Sequence, residues 1–199
     1  MGTGRKVANA RIWTGADVPT GMSRAAMLEE MALALARRII ELVKELLGQR
    51  LVSAAIFGSL AAGRFTDGSD IDILFVVEGF SDKSMAQRIE AVMPALRRIH
   101  DTEEYSAWRR ETGRYMPDLD VIIYTPEEIR RHPPLLLDMV YDVLIIEDNG
   151  FLRNELELLR KELIARGARR VRTADGYWYW ILSPNIKRGE VIEILTVGR

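Results

Sequence analysis

The sequence predicts an α/β (α+β) domain in which helices pack on a small sheet, followed by a helix and a β-hairpin. Three observations carry that prediction. Between residues 24 and 147 short apolar runs alternate with segments of helical period. Residues 24–47 repeat apolar side chains at intervals of three and four, the mark of an amphipathic helix. Near the end, Ala174-Asp175-Gly176 separates two strand-like segments, a hairpin signature. A chain of 199 residues suits one domain with appendages. The expected division is a flexible lead over 1–22, a main domain over 23–149 and an extension over 150–199.

The lead contains four Gly and a Pro. Ser23 then stands where an N-cap belongs, and Met27, Leu28, Met31, Leu35, Ile39, Leu42, Val43, Leu46 and Leu47 form the apolar stripe of the first helix. Gly48 is its natural stop. Residues 51–57 read as a buried strand, 59–62 as a helical turn, 63–69 as a polar loop and 71–77 as a second strand. A turn over 79–83 leads to a helix that Ser84 starts and that reaches residue 99, with a kink expected near Pro94. Residues 101–117 are charged and in part helical. A third strand covers 119–125, and Pro126 opens a short helix at its first position. Residues 135–141 form another helix after Pro133-Pro134, 143–147 a fourth strand and 151–166 a helix ended by Gly167. Segments 168–173 and 177–182 form the hairpin, and 190–196 is a candidate final strand.

The composition is that of a globular chain, with 48% apolar and 29% charged residues and a formal net charge of −1. A near-neutral chain has no global field to draw in long nucleic acid, although a local cluster can still hold phosphate. With no cysteine there is no disulfide framework, zinc knuckle or thiol nucleophile. Asn and Gln are also sparse, which is compatible with a thermophilic source. No secretory signal and no membrane-spanning run are read, so a cytoplasmic protein is expected.

The chemistry concentrates in Gly58-Ser59-Leu60-Ala61-Ala62-Gly63-Arg64 and Ser69-Asp70-Ile71-Asp72-Ile73-Leu74. Gly58 lies between a strand and a helical turn, where the missing Cβ lets a ligand approach the backbone. Ser59 follows at the start of that turn, where free N–H groups suit an anion. Gly63 keeps the loop low, and Arg64 offers a forked cation suited to phosphate. Asp70 and Asp72 are spaced i to i+2 at the start of a strand, so both carboxylates project to one side. Such a pair repels unless a divalent cation lies between them, and carboxylate oxygens are hard ligands suited to one. Ile71, Ile73 and Phe75 face the opposite way, into the core. Asp120 opens a third apolar strand and adds an oxygen at the same rim if the two strands are neighbours. Asp118 competes for that role, but it follows Pro117 and reads as loop.

The string Gly-Ser…Gly-Arg…Ser-Asp-Ile-Asp-Ile resembles the signature of the DNA polymerase β-like nucleotidyltransferases, over roughly residues 50–125. It looks most like their minimal nucleotidyltransferase branch, whose members often pair with an all-helical HEPN partner. The resemblance implies a small mixed sheet flanked by helices. It also implies that Gly58 and Ser59, with Arg64 and Ser69, hold a nucleoside triphosphate, ATP first among them. By the same resemblance Asp70 and Asp72 bind Mg2+ (or Mn2+), and Asp120 is the third catalytic and metal-binding carboxylate. The long tail after residue 150 matches no motif of that family.

Other features have plainer readings. Tyr177-Trp178-Tyr179-Trp180 is read as a hairpin strand with aromatics packing on both faces, with a platform for stacked bases as the alternative. His100 and His132 are far apart and near no carboxylate pair, which argues against a histidine metal site. The Arg pairs at 37–38, 97–98, 109–110, 130–131 and 169–170 read as solvated helix or hairpin faces, with a nucleic-acid contact by one of them as the alternative. The stripe of the first helix is core, or support for a homodimer. The functional expectation is a nucleotidyltransferase acting on a hydroxyl of a protein (as in toxin–antitoxin pairs), a small molecule or an RNA end. The alternative is a catalytically silent nucleotide-binding module.

Overall fold

In the computed structural model, residues 22–174 and 178–185 are described. The expected lead, apart from residue 22, the candidate strand over 190–196, and Tyr177 lie outside them. Helix α1 spans Arg24–Leu47 and begins where Ser23 Oγ accepts the Ala26 N–H. Strand β1 follows over Leu51–Ile56, then the short α2 over Gly58–Ala61 and β2 over Ile71–Val77. Helix α3 covers Met85–Arg97 and carries a full capping box between Ser84 and Gln87. It passes through Pro94 and tightens into a 3₁₀ turn over Arg98–Asp101, so the α-helix stops short of the expected residue 99. The charged 101–117 segment contains α4, Glu103–Thr112, closed by Gly113 in the left-handed conformation. Then come β3 (Leu119–Tyr124), α5 (Pro126–Arg130), α6 (Leu135–Met139), β4 (Leu144–Asp148) and α7 (Phe151–Ala165). The hairpin pairs β5, Arg169–Arg172, with β6, Trp178–Ile181.

The four-stranded sheet has the order β3-β2-β1-β4 and is mixed. β1 runs antiparallel to β2 and β4, and β2 runs parallel to β3. Both faces are covered. On one face Ile71, Ile73, Phe75 and Val77 pack with α1, α3 and α4. On the other, Ala55, Leu74 and Val76 pack with α5, α6 and α7. Leu35, Ala36, Ile39, Ile40 and Val43 of α1 have no exposed surface. Most of the stripe of α1 is therefore part of the domain's own core, while Leu46 at its end is exposed. Truncating one of the buried side chains costs about 2–5 kcal/mol.

Among the described residues, one Lys, Arg, Asp or Glu lies inside this framework. Arg88 of α3 is 4% exposed. Its guanidinium donates to the Ile123 carbonyl (3.0 Å) and to both carboxylate oxygens of Glu128 (2.6 and 2.9 Å), and its Nε donates to the Lys83 carbonyl (3.1 Å). Glu128 in turn accepts the Thr125 N–H at the start of α5. One planar cation thus joins α3, the end of β3 and the α5 cap. The Arg88 guanidinium holds the Glu128 carboxyl below its ordinary pKa.

Candidate active site

The site forms where the two parallel strands start. Ile71 pairs with Leu119 and Asp72 with Asp120. Paired residues on neighbouring strands project to the same face, and the strands lie about 5 Å apart, so the Asp72 and Asp120 side chains stand next to each other. Along β2 the same face carries Asp72, Leu74 and Val76. Leu74 and Val76 are fully buried, whereas Asp72 is only partly buried and Asp120 is exposed. The face therefore leaves the core at Asp72, and Asp70, exposed, continues the line outward.

Asp72 responds to this position. Its carboxyl is pushed from an ordinary value of 3.8 up to about 6, first by burial, then by the negative charges of Asp120 and Asp70. The charges of both neighbouring carboxylates are thus felt at Asp72. Among the described residues no three Asp, Glu or His side chains are gathered into a finished ion cage. The arrangement is an open acidic rim of hard oxygen donors whose most buried member is strained by its neighbours' charge. Those donors suit a divalent cation, which would relieve that repulsion.

Gly58 is fitted to the same rim. It has φ +66°, and a Cβ at this position would overlap the Asp72 carboxylate, with Asp72 Cγ only 2.7 Å away. The residue is glycine for two reasons at once: the backbone is left-handed, and the space is taken by Asp72. The Phe57 N–H donates to the Asp72 carbonyl (3.1 Å), which fixes the turn against β2. Ala62 N–H then donates to the Gly58 carbonyl and Arg64 N–H to the Ser59 carbonyl, while Leu60 anchors the turn in the core. Ser59 is partly buried and Arg64 is exposed.

The loop between Arg64 and Asp70 is pinned at both ends. Phe65 is buried. Ser69 Oγ accepts the Thr66 N–H (3.0 Å) and shares a 3.0 Å hydrogen bond with the Thr66 hydroxyl. The Ser69 hydroxyl thus closes its own loop, which gives it a structural task beside the nucleotide contact expected of it. Asp118 also has a structural part: its carbonyl accepts the Ile71 N–H (2.8 Å) where β2 and β3 meet. Two supports escape sequence reasoning. Arg114 bridges to Asp67 at 2.6 Å. Trp108, nearly buried, donates its indole N–H to the Tyr115 carbonyl at 2.8 Å. The first holds the segment before β3 against the loop before β2, and the second folds that segment back onto α4. Neither pair has a local sequence signal, because the partners come from separate segments or depend on how a loop folds back.

The nucleotidyltransferase domain family matches the chain over residues 36–173. The chain belongs to that family. The match spans the whole sheet and α7, and meets the resemblance read from Gly58-Ser59 and Ser69-Asp70-Ile71-Asp72. Among solved structures, this nucleotidyltransferase-family chain is similar to an inferred nucleotidyltransferase from Sulfolobus solfataricus. The two share 25% identity over 66% of this chain and 94% of that one, with a TM-score of 0.43. It is also similar to a toxin–antitoxin protein crystallised with AMP-PNP, at 17% identity over 66% and 92% of the chains and a TM-score of 0.39. At those TM-scores neither adds to what the family match shows. No curated protein matches the chain. Among the described residues of this family member, no helix is long and apolar enough to cross a membrane.

Proposed function

We propose that this member of the nucleotidyltransferase family moves a nucleoside monophosphate from a triphosphate, ATP first, to a hydroxyl acceptor, using divalent cations held by Asp70, Asp72 and Asp120. The observation that carries this reading is the register of Asp72 with Asp120 beside a glycine whose absent side chain leaves room for the Asp72 carboxylate. Carboxylates are hard oxygen donors of the kind that suits Mg2+ or Mn2+, which when bound would supply the positive charge that a triphosphate and its leaving pyrophosphate require.

The chain's own residues do the rest. The turn at Gly58 and Ser59 receives the triphosphate close to the backbone, and Arg64 adds a cation at its edge. Asp120, the exposed member of the pair, accepts the proton of the acceptor hydroxyl. The acceptor oxygen forms a bond to the α-phosphorus, the bond to the pyrophosphate oxygen breaks, and the proton passes from Asp120 to solvent. Asp72, half-buried, keeps the nucleotide side of the rim fixed while Asp70 and Asp120 face solvent.

Label transfer from α-labelled ATP with Mg2+ or Mn2+ tests the reading against a panel of hydroxyl acceptors. These are a HEPN-type helical protein, a small aminoglycoside-like polyol and an RNA 3′ end. Asp70→Ala combined with Asp72→Ala should abolish transfer without lowering the thermal melt. Transfer that survives the double change would remove the assignment, and nucleotide binding without any pyrophosphate release would favour a silent binding module.

A further inference from the structure

Beyond the acidic rim, the extension carries a second ordered arrangement. The register of the hairpin pairs Arg170 with Trp180 and Arg172 with Trp178. Paired residues share a face, so two cations and two indoles lie together. Trp180 stacks on Tyr141 just after α6, with ring centroids 5.8 Å apart and planes 22° apart, and packs against the second core. That contact ties the hairpin face to the domain. The expectation that the aromatic run simply packs is therefore met at Trp180 and fails at its neighbours. Trp178 is 39% exposed, Tyr179 49% and Tyr141 52%.

The cations sit on these rings in sequence. The guanidinium of Arg160 lies 6.0 Å from the Tyr141 ring centre, and Arg170 lies 5.9 Å from Tyr141 and 4.7 Å from Trp178. Arg172 lies 5.6 Å from Trp178. The result is a partly exposed row in which arginine and aromatic rings alternate. Asp142 pairs with Arg170 at 2.7 Å and offsets one of these charges. The near-neutral total of the chain hides a strong asymmetry. Residues 151–199 hold ten Lys and Arg against six Asp and Glu, and the preceding residues hold eighteen against twenty-three. The basic excess therefore belongs to the extension, which carries the exposed Trp178 and Tyr179.

We infer that this hairpin face binds single-stranded RNA, with bases stacking on Trp178 and Tyr141 and phosphates meeting Arg160 and Arg172. Flat rings alternating with forked cations match the two repeating parts of a polynucleotide strand, an aromatic base and an anionic phosphate. Paired bases in a duplex have no free faces for such rings. Unpaired loops and ends are the ordinary state in which RNA is read by stacking. A protein partner would also meet Arg and Trp, but the local positive excess favours a polyanion over a surface of mixed charge.

The test is fluorescence anisotropy with a labelled twelve-nucleotide oligouridylate and no triphosphate. The full chain is used, both unmodified and with Asp70→Ala and Asp72→Ala, so that the result is independent of the catalytic reading. The expected dissociation constant is roughly 1–100 µM near 0.1 M salt, unchanged by the two aspartate substitutions. Trp178→Ala should weaken binding by about five- to a hundredfold, while Trp178→Phe, which keeps a ring and guards against loss of the hairpin, should hold it within about threefold. Arg172→Ala should lower the slope of log affinity against log salt by about 0.7. Four results would overturn the inference: no binding up to about 300 µM, equal binding of a duplex or of polyglutamate, tighter binding of oligodeoxythymidine, or affinity indifferent to both Trp178→Ala and Arg172→Ala.

Discussion

Replacing Gly58 with alanine probes the site at its tightest point. The substitution adds one methyl group and forces two separate costs. The first is backbone strain: at φ +66° an alanine sits in the left-handed region, at about 1–2 kcal/mol. The second is overlap with the Asp72 carboxylate, whose Cγ would stand 2.7 Å and Cβ 3.3 Å from the new carbon. Displacing a packed side chain to make room costs about 1–3 kcal/mol. The expected loss of stability is therefore about 2–5 kcal/mol. Gly79 supplies the control, with φ +75° and nothing within 4 Å of a built Cβ. Gly79→Ala carries the strain alone, at about 1–2 kcal/mol. Urea unfolding followed by circular dichroism, in chelator, measures both. A double-mutant cycle of Gly58→Ala with Asp72→Ala isolates the second cost, because removing the carboxylate frees the space; a coupling of about 1–3 kcal/mol is expected. Manganese affinity by calorimetry should fall for Gly58→Ala and stay at the unmodified level for Gly79→Ala. Equal destabilisation by the two alanines, with coupling under about 0.5 kcal/mol, would refute the idea that Gly58 exists to accommodate Asp72.

Four further outcomes follow. Without divalent cations, stability should fall as pH rises from about 4 to 6, because the folded state holds a proton on Asp72 that the unfolded state has released. Allowing for solvent screening at a half-buried carboxyl, the loss is about 1 kcal/mol, and Asp72→Asn in pH-dependent urea melts should abolish it. Glu128 has the opposite sign: its lowered pKa gives stability above its ordinary value of 4.5 that is lost as pH falls below it, and Glu128→Gln should flatten that acid limb. Arg88→Ala should cost about 3–5 kcal/mol in the same assay, since it strands the Ile123 carbonyl and the Glu128 carboxylate, while Arg114→Ala, at a bridge open to water, should cost under about 1 kcal/mol. Finally, Mn2+ should raise the melting temperature more at pH 7.5 than at pH 5, with the gain reduced by Asp120→Asn in differential scanning fluorimetry.

The local sequence was enough for everything that depends on neighbours along the chain. The apolar period of residues 24–47, the Ser23 and Ser84 caps, Pro126 at a helix start and the alternation through Asp70, Asp72 and Leu74 each express short-range sterics or one-sided burial, so the elements and the Asp70–Asp72 spacing were legible. Fold class and family followed from their order. Contacts between distant segments were a different matter. That Asp120 rather than Asp118 stands beside Asp72 depends on the parallel register of β2 with β3. That Ser69 closes its own loop, that Arg88 meets Glu128 forty residues away, and that Gly58 lies against the Asp72 carboxylate depend on the packed shape. The same holds for the aromatic run, where strand alternation and the position of Tyr141 bury Trp180 in part and leave Trp178 to solvent. Sequence periodicity says which residues share a face, but only the assembled sheet, through long-range strand pairing and excluded volume, decides what that face meets.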